Sequence, residues 1–130
     1  MPKPHPPITP EKPSQPSSEK PVLTDEICGN IEQGCDGTFV EYWKAIGIST
    51  LPSGSVSVVN KSHCMITVKA DMNGDGIAET ILFQLTQKGQ SKSVTLGSIA
   101  NLEIGCGCTD GQGSKNCSGT YCLTIHYEKT

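Results

Sequence analysis

Proline is unevenly distributed along this chain of 130 residues, and its distribution limits which parts can fold. Eight of the nine prolines lie within residues 1–24. Each proline fixes its own φ angle and favours an extended conformation at the residue before it. The sequence therefore predicts an N-terminal connector, residues 1–24, that resembles polyproline II and has no core of its own. A folded domain over residues 25–130 is expected to follow it.

The length of the connector gives it a reach beyond its own domain. At ~3.1 Å per residue, a fully extended connector would span roughly 70 Å. It can therefore touch a neighbouring molecule. A disordered tail or a spacer is the ordinary alternative for a proline-rich terminus.

Residues after the connector alternate between apolar and polar types in short runs separated by glycine, serine and asparagine. This period of two is typical of half-buried strands. The apolar positions of three such runs are Ile66, Val68 and Ala70, then Ile81, Phe83 and Leu85, then Tyr121, Leu123, Ile125 and Tyr127. Further strands are expected at 39–46, 55–60, 90–96 and 99–104. Seven or eight short strands predict an all-β antiparallel sandwich, either immunoglobulin-like or a jelly roll.

Composition argues against two classes of partner. The chain has no arginine and a net charge of -3, whereas arginine is the commonest reader of bases and binder of phosphate. No apolar run approaches the ~18 residues of a membrane span. The N-terminus also lacks the apolar region of a secretory signal. We therefore expect neither a nucleic-acid partner nor a membrane partner.

Seven cysteines are many for a chain without a secretory signal, because the reducing cytosol keeps most thiols for metals or catalysis. The spacing C-x-C followed by gaps of eight and four residues differs from the C-x₂₋₄-C pairs of zinc sites, so disulfides are favoured. The candidates are Cys28, Cys35, Cys64, Cys106, Cys108, Cys117 and Cys122. An odd number cannot pair completely within one chain. Strand alternation turns Cys122 away from the core, which favours a contact between chains.

The segment from Asp71 to Glu79 matches the first nine positions of a calcium loop, with oxygen ligands at positions 1, 3, 5 and 9 and glycine at 6. However, Leu82 occupies position 12, where an EF-hand requires a bidentate glutamate. The Asn-Gly and Asp-Gly pairs are also strong signals for a hairpin. A plain hairpin loop without metal is therefore favoured, and calcium is the alternative.

Catalytic residues are not expected. His63 precedes Cys64, but adjacent residues of a strand point to opposite faces and cannot share a proton. We also find no Ser-His-Asp set, phosphate-binding glycine loop or pair of carboxylates. The expected protein is therefore not an enzyme and has no cofactor.

Three segments resemble the endospore appendage (Ena) pilins, the subunits of fibres on bacterial spores. They are GQSKSVTLGSIANLEIGC (89–106), GTYCLTIHY (119–127) and NKSHCMITVKA (60–70). The resemblance implies a jelly-roll subunit that adds its sheets edge to edge into a helical fibre, while its connector reaches into neighbouring subunits. It also implies synthesis in the mother cell without a secretory signal and a final place on the spore surface. There the cysteines can oxidise.

One departure from that family concerns the connector. Family connectors carry cysteines that bond to neighbouring subunits, one target matching Cys122, but residues 1–27 of this chain contain none. Contact by Ile8, Pro10, Val22 and Leu23 would have to replace that bond. The expected partners are identical subunits and, where the fibre meets the spore, an anchoring protein. The alternative function is a monomeric surface binding module or adhesin with a calcium-binding loop.

Overall fold

A computed structural model describes residues 22–47, 50–107 and 116–128. These residues form eight strands and no helix. The strands are β1 (Val22–Gly34), β2 (Asp36–Lys44), β3 (Ser53–Asn60), β4 (Met65–Asp71), β5 (Thr80–Leu85), β6 (Ser91–Leu96), β7 (Asn101–Gly107) and β8 (Asn116–Glu128). Within these ranges there is consequently no helix of the length and hydrophobicity that a membrane span requires.

The strands form two antiparallel sheets of four. Sheet A has the order β1-β8-β3-β6 and sheet B has the order β2-β7-β4-β5. In both sheets an early strand lies beside a late one, which is the arrangement of a jelly roll. The predicted all-β sandwich is confirmed, and the jelly roll is the correct one of the two alternatives.

The predicted alternation is accurate at the centre of each sheet. Ile66, Val68 and Ala70 of β4 are fully buried between the sheets. Leu123 and Ile125 of β8 face them from sheet A and are also buried. Strands at the centre of a sandwich bury one whole face, so their apolar residues must recur every second position.

Ile81 was predicted to face the core, and that prediction is wrong. The register between β4 and β5 shifts after Val68, so that Val68 lies opposite Phe83 while Lys69 lies opposite Ile81. Such a bulge reverses the side on which the following residues project. Phe83 and Leu85 keep their inward positions, but the Ile81 side chain is 56% exposed.

The first strand was not among those predicted. β1 pairs with β8 over its whole length, from Val22 opposite Glu128 to Gly34 opposite Asn116. Most of its side chains are exposed, and only Ile31 is fully buried. An edge strand with so little burial shows little alternation. β1 includes the last three residues assigned to the connector.

The four edge strands differ in regularity. β2 and β5, the edges of sheet B, each pair with their neighbour through a register shift. β1 and β6, the edges of sheet A, pair without interruption. Bulges hinder the addition of a further strand, whereas regular edges invite it. Sheet A therefore has the edges that are open to another chain.

Candidate functional site

The outer edge of β6 has backbone groups that are available to another strand. β6 is antiparallel to β3, with Ser93 opposite Ser57. The ladder begins where the Asn60 N–H donates to the Gln90 carbonyl at 2.9 Å. In an antiparallel pair, the backbone N–H and C=O groups of successive residues point alternately toward the partner strand and away from it. Since the carbonyl of Gln90 points toward β3, the backbone groups of Ser91, Ser93 and Thr95 point away from β3. We call these three residues the β6 edge. Their side chains are exposed, and no strand of the described domain covers them.

Exposed apolar side chains occur on both open sides of the sandwich. Val40 of β2 lies on the side formed by β1 and β2, and Ile81 of β5 lies on the side formed by β5 and β6. Isolated exposed apolar residues are normal, but their position on edge strands makes them suited to contacts between subunits.

Three disulfides connect six of the cysteines. They are Cys28–Cys122, Cys35–Cys64 and Cys106–Cys117. The second and third are buried in the core, whereas Cys28 is exposed and Cys122 is half-buried on the outer face of sheet A. Cys108 lies outside the described residues. These cysteines therefore form disulfides, not the zinc site or thiol nucleophile considered above.

The outward direction of Cys122 was predicted correctly. Cys122 alternates with buried Tyr121 and Leu123, as expected. It is bonded to Cys28, which lies directly opposite it on β1 of the same chain. In this chain the outward position serves a link between two neighbouring strands, and a contact of Cys122 with another chain stays a prediction.

The structure places the predicted contact residues of the connector in two groups. Ile8 and Pro10 lie outside the described residues. Val22 and Leu23 begin β1 opposite Glu128 and Tyr127, and both are exposed. Their role in contacts between subunits stays a prediction.

The segment from Asp71 to Glu79 joins β4 to β5, so the predicted hairpin is confirmed. Asp71 Oδ1 accepts from the N–H groups of Asn73 (3.1 Å) and Gly74 (2.8 Å), and Oδ2 accepts from Gly76 (2.8 Å). Gly74 and Gly76 have φ angles of 82° and 88°, which only glycine adopts readily. The Asp71 carboxylate thus organises the loop, and calcium binding stays the untested alternative.

Metal-binding side chains come close together at one place in the described ranges, where Glu26 lies beside Cys28 and Cys122. The two cysteine sulfurs are joined in a disulfide. A disulfide sulfur is not a thiolate and is not the ligand that zinc requires. This cluster is therefore not a metal site.

Acid is expected to weaken the fold through Asp71. Burial raises the pKa of its carboxyl, but hydrogen bonds from the backbone of Gly76, Gly74 and Asn73 outweigh burial, so the pKa lies below its ordinary value of 3.8. A lowered pKa stabilises the folded state above the pKa of the unfolded chain, and that stability is lost as pH falls through the folded value. Asp71→Asn should therefore remove this acid-dependent loss.

Asp71→Asn should also cost about 1–3 kcal/mol at neutral pH, because an amide nitrogen cannot accept the backbone N–H groups. Urea unfolding at pH 7 and pH 3 measures both effects. Asp75→Asn is the matched control, since Asp75 is exposed and accepts one N–H, from Ile77. An unchanged difference in stability between pH 7 and pH 3 in Asp71→Asn would contradict the prediction.

The family model for endospore appendages matches residues 11–129. The chain belongs to the endospore appendage family. This confirms the resemblance, and membership places the chain among structural fibre subunits of the spore surface, not among enzymes.

Three solved structures are similar to this chain, and the first of them shares its fold. A Bacillus structure, described as endospore appendages that form a family of disulfide-linked pili, is 17% identical, with a TM-score of 0.64 over 92% of this chain and 99% of that chain. The Aeromonas hydrophila periplasmic inhibitor of g-type lysozyme is 11% identical, with a TM-score of 0.44 over 86% and 92%. An infectious bursal disease virus structure is 14% identical, with a TM-score of 0.45 over 94% and 38%. No curated protein matches the chain.

Proposed function

We propose that this chain assembles with identical copies into a spore-surface fibre by adding strands at its sheet edges and by docking its connector on neighbouring subunits. The observation that supports strand addition is the β6 edge, which is regular and has outward backbone groups. A strand laid along it would satisfy those groups with main-chain hydrogen bonds.

The two open sides of the sandwich suit a contact from head to tail. In the proposed contact, the side formed by β5 and β6 on one subunit packs against the side formed by β1 and β2 on the next. These sides differ in sequence, so the contact is heterologous and can repeat without closing into a ring. Val40 and Ile81 lie on opposite sides, and repetition would cover both of them.

The second contact is made by the connector. It contains eight prolines, and a proline-rich segment loses little conformational entropy when it binds. Its reach of roughly 70 Å exceeds the width of one domain. A connector on another subunit would tie together subunits that do not share a sheet edge.

Proline at Ser93 tests strand addition. The Ser93 N–H points away from β3, so Ser93→Pro removes no hydrogen bond within the domain. It does remove a donor from the β6 edge, and the ring obstructs an incoming strand. We expect Ser93→Pro to fold but to yield at least about tenfold fewer fibres, since each lost hydrogen bond recurs at every contact.

Ser93→Ala is the matched control, because it changes the side chain and keeps the N–H. Negative-stain electron microscopy counts the fibres, and far-UV circular dichroism with urea unfolding checks that each variant folds. Equal fibre yields from the two variants would contradict strand addition at β6. Single particles from the unaltered chain at high concentration would contradict the fibre function itself.

A further inference from the structure

We propose that residues 6–10 of one connector, Pro-Pro-Ile-Thr-Pro, dock in an aromatic cleft of a neighbouring subunit. This inference rests on the proposed function and identifies where the connector binds. The cleft has a volume of about 320 Å³ and lies where β1 and β8 meet the end of β2. We call it the Trp43 cleft. It is lined mainly by Ile27, Trp43, Ala45, Ile46, Ile125 and Tyr127.

The lining of the Trp43 cleft combines aromatic and aliphatic side chains with the charged side chains of Asp25 and Lys44. Tyr127 is fixed there because its hydroxyl donates to Asp25 Oδ2 at 3.0 Å. Ile46 is 80% exposed, the most exposed of the large apolar side chains in the described ranges. Because Ile46 lines the cleft together with Trp43, its exposed side chain adds apolar surface on which a docked segment can pack.

The connector has the chemistry that such a cleft binds. Proline-rich segments dock in aromatic grooves because the polyproline II backbone is formed in advance and its rings pack on aromatic faces. Ile8 lies between Pro7 and Pro10, and it is one of only two large apolar residues before Val22, the other being Met1. Residues 6–10 therefore offer both prolines and an aliphatic side chain.

The length of the connector favours a cleft on another subunit. Pro10 precedes Val22 by twelve residues, which span roughly 37 Å at ~3.1 Å per residue. The domain has a radius of gyration of about 13 Å, so this span passes beyond it. Pro21 also favours an extended Lys20. The chain is thus expected to continue away from β1 without turning back to the cleft beside Asp25.

Trp43 is the only tryptophan and reports directly on the cleft. Acrylamide quenching of its fluorescence should be roughly threefold weaker in fibres than in the unassembled Ser93→Pro chain, because a docked segment covers the indole ring. Ile8→Ser alters the connector alone and should restore quenching in fibres. Burial of Trp43 by sheet contacts cannot explain such a restoration, because those contacts are unchanged in Ile8→Ser.

Variants of the cleft provide the reciprocal test. Ile46→Ser should restore quenching in fibres in the same way as Ile8→Ser. The matched control is Ile77→Ser, which removes a side chain that is 60% exposed in the loop between β4 and β5. That control should leave Trp43 protected. Both isoleucines are exposed, so neither variant should prevent folding.

Each result separates this inference from the fibre function. If acrylamide quenches Trp43 as strongly in fibres as in the unassembled Ser93→Pro chain, the docking is overturned and the fibre function is left intact. Protection in the unassembled Ser93→Pro chain that Ile8→Ser removes would show that a subunit's own connector fills the cleft, which also overturns docking on a neighbour. If the unaltered chain forms no fibres, a synthetic peptide of residues 1–21 is titrated into it. Saturable protection of Trp43 would support the docking site, and its absence would overturn it.

Discussion

Replacing Gly119 by alanine is expected to lower the free energy of unfolding by at least about 3 kcal/mol. Gly119 is buried in β8, and a Cβ atom there would overlap the carbonyl oxygen of Val59 on β3. It would also lie 3.3 Å from Cδ1 of Ile66 in the opposite sheet. The obstructing oxygen belongs to the backbone of a central strand that is bonded on both sides, so it cannot move aside.

Gly97→Ala is the matched control for this effect. A Cβ at Gly97 has no heavy atom within 4 Å, and its φ angle is not positive. Its stability should therefore change by no more than about 0.5 kcal/mol. Urea unfolding followed by far-UV circular dichroism measures both variants. If the two variants unfold at similar urea concentrations, β3 and β8 can separate at low cost and the prediction is wrong.

The sequence was sufficient to predict the parts of the fold in which burial repeats every second residue. β4 and β8 lie inside their sheets and bury one complete face. The alternating apolar residues Ile66 and Val68, and Leu123 and Ile125, therefore predicted both strands. β1 was missed because an edge strand buries little, and only Ile31 of its side chains is fully enclosed. Alternation of apolar and polar residues arises from the burial of one face of a strand, so it is weak in a strand that buries few side chains.

The direction or partner of a side chain could not be predicted where it depends on how its strand pairs with a second strand. Ile81 points outward because β4 and β5 change register after Val68, and nothing in the sequence of β5 reports that change. The partner of Cys122 likewise follows from the register of β1 on β8, which sets Cys28 opposite to it. Pairing between distant segments is a property of the folded sheet and could not be read from either segment alone.

The Trp43 cleft was missed for a similar reason. Its lining comes from β1, from β8 and from the end of β2, which are far apart in the chain. The one signal in the sequence was a single tryptophan three residues before an isoleucine, in a segment already rich in apolar residues. The calcium-like loop was easier to recognise because all its oxygen ligands lie within nine consecutive residues. Local motifs can be identified before folding, whereas composite surfaces require the fold.

Removing the disulfide between Cys28 and Cys122 is expected to lower the free energy of unfolding by about 4 kcal/mol, because a cross-link that closes a loop of nearly 100 residues restricts the unfolded chain strongly. The two cysteines are 94 positions apart. Cys28 is exposed and Cys122 is half-buried, so serine at both positions leaves no cavity. β1 and β8 also stay paired through the rest of their register. The loss should therefore arise in the unfolded state.

Urea unfolding of Cys28→Ser/Cys122→Ser without reductant measures this loss. The matched control is Asn30→Ser/Thr120→Ser, the next pair on the same face of the same two strands, which should change stability by no more than about 0.5 kcal/mol. Mild reductant should open this bond before the two buried disulfides, since a thiolate must reach the sulfur that it attacks. Mass spectrometry after alkylation identifies the opened pair. Earlier opening of Cys35–Cys64 or Cys106–Cys117, or stability in the double serine variant equal to that of the unaltered chain, would contradict the prediction.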